Sequence, residues 1–170
     1  MQTLLFTIHP NDLETLMIEA EQLSDVLESG YLKDKEIFDV IGQHLAMVLN
    51  NIATATEHHA LTYSMRAAYT LSERLHPINT VHYNPVVHVV EIHQALEATS
   101  LEQFKKYALN DLTQHLAVSK SMADTQKLDY PQAELLLEFQ QLKSFYQDAT
   151  RQNMAVISVV AANLIAEKVI

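Results

Sequence analysis

Residues 131–170 run for forty positions with no glycine and with no proline after Pro131. Glycine and proline are the strongest punctuators of local structure, so this unbroken stretch limits what the chain can fold into. Pro131 suits the first position of a helix. Leu135, Phe139, Leu142, Tyr146, Ala149, Val156, Val160 and Leu164 recur mostly three or four residues apart, the spacing of one helical face. From Met154 onward, thirteen of seventeen residues are apolar. A helix that is apolar all round is a buried one. The expectation is a C-terminal helix whose second half forms the central post of a bundle or the core of an oligomer interface.

The remainder of the chain points the same way. Two glycines and four prolines in 170 residues, with 48% hydrophobic residues, argue for long helices rather than a sheet with many turns. A chain of this length suits one domain. Residues 1–10 read as an N-terminal arm or a short strand. After Pro10, Asn11 or Asp12 caps a helix carrying Leu13, Leu16, Met17, Ala20, Leu23 and Leu27, closed by Gly30. Segment 34–76 has an apolar seam from Ile37 to Leu71 and reads as one helix, with a break near Asn50-Asn51 as the alternative. A loop follows at 76–84. Segment 85–125 reads as helix interrupted at Thr99-Ser100, where Ser100-Leu-Glu-Gln103 forms a capping box. The expected fold is all-α: a single domain over residues 1–170, built as an up-and-down antiparallel bundle of four to five long helices. Its three long segments, 34–76, 85–125 and 131–169, are rods of roughly 60 Å at about 1.5 Å per residue.

Charge and composition exclude several classes. The formal charge of −10 disfavours a nucleic-acid binder that neutralises phosphates. It leaves a basic protein partner open. Protonation of all nine histidines would bring the formal charge to −1, so electrostatic association should depend on pH below neutrality. The absence of cysteine fits a reducing compartment, and a cytoplasmic location is expected. The apolar run at the N-terminus lacks a basic flank and is short for a signal peptide. No apolar run reaches the ~18–20 residues of a membrane span.

Acidic residues and histidines recur at helical spacing in Glu73/His76, His88/Glu91, His93/Glu97 and Asp111/His115, pairs that can share a metal on one helix face. His59, His93 and His115 fall in apolar seams but at different heights of an antiparallel bundle, so they read as core histidines bonded to their neighbours. One level does gather polar groups. His44, Asp111, His115, Glu19 and Glu138 would lie together there. They would form either a mixed nitrogen and oxygen site for a divalent metal or a polar network that fixes register. No cofactor is favoured beyond that divalent metal.

Two stretches resemble known families. Glu19-Ala-Glu-Gln22, then thirteen residues, then Glu36-Ile-Phe-Asp39 resembles the ExxE and ExxD pattern of the all-α, MazG-like nucleotide pyrophosphohydrolases, with Gln22 in place of one acid. The resemblance covers about residues 13–50. It implies Mg²⁺ held by Glu19, Glu36 and Asp39 on facing helices, for diphosphate cleavage. His59-Ala-Leu-Thr-Tyr-Ser is similar to the helix around the phosphorylated histidine of histidine-phosphotransfer domains, with Thr62 and Tyr63 where that family has lysine and glycine. With two glycines there is no Gly-rich phosphate loop. The leading expectation is a non-catalytic helical interaction or assembly protein. It would associate with a protein partner or with copies of itself through the apolar C-terminal helix, and not with nucleic acid or membrane. The alternatives are a metal-dependent all-α hydrolase and an acidic inhibitor that binds a basic protein.

Overall fold

The structure is a computed structural model that describes residues 2–38, 40–71, 80–109 and 130–161. It is a mixed α/β fold around a five-stranded antiparallel sheet, which overturns the expected all-α bundle. The decisive segment is the one expected to be a helical post. A helix, α6 (Tyr130–Arg151), ends early, and the apolar run that follows is a strand, β5 (Ala155–Ala161).

The change is built locally. Asn153 adopts a left-handed conformation with φ 53°. The Met154 amide donates to the Ala149 carbonyl at 2.9 Å and the Asn153 amide to the Thr150 carbonyl at 3.1 Å. These are the two bonds of a Schellman cap, in which asparagine replaces the usual glycine. Beyond it, Ala155-Val-Ile-Ser-Val is rich in β-branched residues, and each of the five is at most 1% exposed. A strand covered on both faces reads as a continuous apolar run, as a buried helix does. Within α6 the expected face holds: Leu135, Phe139, Leu142, Tyr146 and Ala149 are all buried.

Strand β5 is the middle of the sheet. One neighbour is β1 (Gln2–Ile8), the segment expected as an arm, and the other is β4 (Thr80–Asn84). The outer strands are β2 (Leu32–Phe38), beside β1, and β3 (Tyr69–Thr70), beside β4. The edges are blunted in two ways. β2 carries Lys33, Asp34, Lys35 and Glu36, and β3 has two residues; both devices discourage pairing with another chain. The β1–β2 register slips between Phe6 and Thr7, which leaves Asp34 as the extra residue of a bulge. The buried Thr7 hydroxyl donates to Asp34 Oδ2 at 3.1 Å.

Side-chain alternation divides the sheet into two faces. Leu4, Phe6, Ile8, Val81, Ala155, Ile157 and Val159 pack with Leu13, Leu16 and Val26 of α1 (Pro10–Glu19) and α2 (Leu23–Leu27). Leu5, Phe38 and Val156 face a larger helical layer. That layer holds α3 (Val40–Thr56), the 3₁₀ turn His59–Tyr63, α4 (Val86–Ala98), α5 (helical over 101–109) and α6. The described residues of the expected single helix over 34–76 are therefore part of a strand, a helix, a 3₁₀ turn and an edge strand. The expected interruption at Thr99-Ser100 is present, and Ser100 Oγ accepts from the Gln103 amide at 3.1 Å to cap α5. Phe104 of α5 stacks on Phe139 of α6 with ring centres 4.1 Å apart. Among the described residues, no helix is long and apolar enough to cross a membrane.

Candidate functional site

Of the five residues expected to hold a metal, the structure describes three, Glu19, His44 and Glu138. His44 on α3 and Glu138 on α6 are half-buried on helices that pack together. Asp111 and His115 lie outside the described residues, as do Glu73 and His76. Glu19 ends α1, is exposed, and sits in the layer on the opposite side of the sheet from α3 and α6. The sheet therefore separates Glu19 from His44 and Glu138. Among the described residues, no group of three or more histidine and acidic side chains is placed to hold a metal ion.

The pyrophosphohydrolase pattern fails for a related reason. Glu36 lies on the edge strand β2, opposite Leu5 of β1, rather than on a helix. Asp39 lies outside the described residues. The facing helices that would bring the carboxylates to one Mg²⁺ are not formed by these segments. His59, expected within a long helix, opens the 3₁₀ turn and is exposed.

What the fold does assemble is a groove between α4 and the chain leaving α3. Helix α3 ends at Thr56, and Glu57 turns the backbone in the left-handed region at φ 60°. A β-carbon makes that conformation unfavourable by about 1–2 kcal/mol. The turn brings His58 and His59 across to α4, where Glu91, Gln94, Ala95 and Ala98 complete a groove of about 460 Å³. On α4 these positions continue the stripe begun by His88, three or four residues apart, so they share one face. The groove is open and carries carboxylates at Glu57 and Glu91, imidazoles at His58 and His59, and alanines between them. Next to it His88 ends an aromatic column. The Tyr69 ring centre is 5.2 Å from His88 and 5.4 Å from Tyr83.

A polar network fixes the segment that follows the groove's wall, from Tyr63 to Ala68. Asn84 is fully buried; its Oδ1 accepts from the Ala68 amide at 2.9 Å and its Nδ2 donates to the Tyr63 carbonyl at 2.9 Å. Ser158 Oγ accepts from the Ala67 amide at 2.9 Å. The buried Tyr146 hydroxyl donates to the Ser64 carbonyl at 2.8 Å. Burial raises the pKa of Tyr146 well above the usual phenol value, opposed in part by a hydrogen bond with Asn84. Arg66 Nε donates to His82 Nε2 at 3.2 Å. Burial, with the Arg66 charge adding to it, lowers the pKa of His82.

Glu57, His58 and Gln94 carried no sequence signal as site residues. The His88/Glu91 spacing marked one helix face, but one that reads as solvated rather than as a site. The left-handed turn at Glu57 has no glycine or asparagine to announce it.

No family model matches the chain, and no curated protein matches it. Among solved structures the chain is similar to YfbM from Escherichia coli, whose crystal structure is that of a protein of unknown function. The two share 14% sequence identity over 95% of this chain and 100% of that one, with a TM-score of 0.66. The likeness is one of fold, an α/β arrangement in both.

Proposed function

We propose that this is a non-catalytic interaction protein, acting in the cytoplasm, whose groove between α4 and the turn after α3 docks a basic segment of a protein partner. The observation that carries the reading is the groove itself. Two carboxylates, Glu57 and Glu91, border an alanine-floored channel on a chain of formal charge −10. An acidic surface draws a basic partner by long-range attraction and repels a second copy of itself, so a different protein is favoured over self-association. Association through an apolar C-terminal helix is no part of this reading, because the run after α6 is a strand whose residues 155–159 are buried in the sheet.

The contacts are exposed, and an exposed ion pair contributes about 0.2–1 kcal/mol. Two of them set a contribution of roughly 2- to 30-fold in affinity. The test is a titration of a short lysine- and arginine-rich peptide, followed by amide NMR shifts. The reading expects shifts confined to residues 57–60 and 88–98. It also expects binding that weakens with salt and a loss in Glu57→Gln/Glu91→Gln within that range. Shifts spread over the acidic surface, or an unchanged affinity in the double variant, would refute it.

A further inference from the structure

We propose that His82 and Arg66 form a proton-operated latch that holds the segment following the groove's turn, at residues 66–68, on the sheet and releases it on acidification. The consequence for docking rests on the reading of the groove given above; the latch itself does not.

His82 lies on β4, 8% exposed, on the sheet face that carries Ser158 and Asn84. Its Nε2 accepts the Arg66 Nε–H. A ring nitrogen that accepts has no proton of its own, so the bond requires neutral imidazole with its proton on Nδ1. Protonation at Nε2 would set two N–H donors head to head and place an imidazolium against a guanidinium. The bond cannot survive that change. Arg66 is followed directly by Ala67 and Ala68, whose amides are held by Ser158 and Asn84. Ser158 is the cross-strand partner of His82. A charge at His82 therefore acts on the segment at its points of attachment.

Among the described residues, the surroundings of His82 do not offset the charge. Its strand partners are Thr70 on β3 and Ser158 on β5, neither of which titrates near neutrality. Tyr83, the next residue of β4, packs toward α1 and α2, and its cross-strand partner Tyr69 lies on the edge strand β3. His88 of α4 is engaged with Tyr69. Tyr146 of α6 directs its hydroxyl to Ser64. Among the described residues, Arg66 is the charge that acts on His82.

The test is amide hydrogen exchange at Ala67 and Ala68, corrected for intrinsic rates, at pH 7.5 and 5.5. If opening restores His82 to its ordinary value of 6.5, protection falls by up to about tenfold at pH 5.5. His82→Gln keeps an acceptor for Arg66 without titrating, and its protection should stay level across the same range. Arg66→Gln, at an exposed position, should show the lowered protection already at pH 7.5. Three results overturn the latch: a level response in the wild type, as when Arg66 swings into solvent and leaves the segment in place; an undiminished response in His82→Gln; or wild-type protection in Arg66→Gln. Peptide affinity measured at both pH values separates the two ideas. An exchange response with no peptide binding at either pH removes the docking reading and leaves the latch standing.

Discussion

Replacing Asn84 with leucine tests how the segment following the groove wall is held. The two side chains are of similar size, so the change removes hydrogen bonds without opening a large cavity. It leaves the Ala68 amide without its acceptor and the Tyr63 carbonyl without its donor, both bonds being 2.9 Å in the folded protein. A fully buried polar group left unpaired costs about 1–3 kcal/mol; both bonds are part-buried, so the variant should lose about 1–4 kcal/mol. That is a large part of the ~5–15 kcal/mol that stabilises an ordinary domain. The assay is urea denaturation followed by far-ultraviolet circular dichroism. With a slope of about 2 kcal/mol per molar urea, a loss of 3 kcal/mol lowers the midpoint by about 1.5 M. A loss under about 0.5 kcal/mol would refute the reasoning, because it would mean that water replaces Asn84 and the segment is not pinned to β4. Asn84→Asp sharpens the test. It keeps an acceptor for Ala68 but sets a carboxylate oxygen against the Tyr63 carbonyl, so it should be destabilised at neutral pH and recover in part as acid restores a donor.

Other consequences are independent of that network. Glu57→Gly relieves a left-handed β-carbon and should raise stability by about 1 kcal/mol, read as a higher urea midpoint, while weakening peptide binding. Stability should decline as pH falls through 6.5, because the unfolded chain takes up a proton that buried His82 resists; in His82→Gln that part of the decline should vanish from the pH profile of the thermal midpoint. At the alkaline end the sign reverses. The pKa of Tyr146 is raised, so its contribution is complete below the ordinary value of 10.0 and is lost as pH climbs above it, and Tyr146→Phe should flatten that limb.

The helices were legible where one face is buried and the other exposed. The seam of α6 from Leu135 to Ala149 follows the 3.6-residue period because solvent lies on one side of it. The Ser100 cap was legible because a side chain there bonds its own neighbouring backbone. The sheet was hidden for the opposite reason. β5 is covered by helices on both faces, so its sequence lacks the alternation that marks a half-buried strand, and length alone favoured continuing the helix. β2 misled in another way. Its Lys-Asp-Lys-Glu run protects a sheet edge, yet it reads equally as the solvated start of a helix. Glu19 was misplaced with the fold: heights along a bundle brought it beside His44, whereas a sheet stands between their layers. The groove was illegible because Glu57 takes a glycine-like conformation without being glycine.

Every placement described above depends on residues 155–161 being the middle strand, paired with β1. The chain has no cysteine, so a single engineered pair reports on that pairing without interference. Thr3 and Val160 are directly opposed across β1 and β5; opposed residues of an antiparallel pair have Cα atoms about 4.5–5.5 Å apart, within the span of a disulfide. Thr3→Cys/Val160→Cys should close an intramolecular disulfide under mild oxidation of the folded protein, seen as faster migration on a non-reducing gel, and Thr3→Cys/Val159→Cys, whose side chains point to opposite faces, should close far less. Failure of the first pair to close, or equal closure of both, would contradict the sheet and return residues 155–161 to a helix.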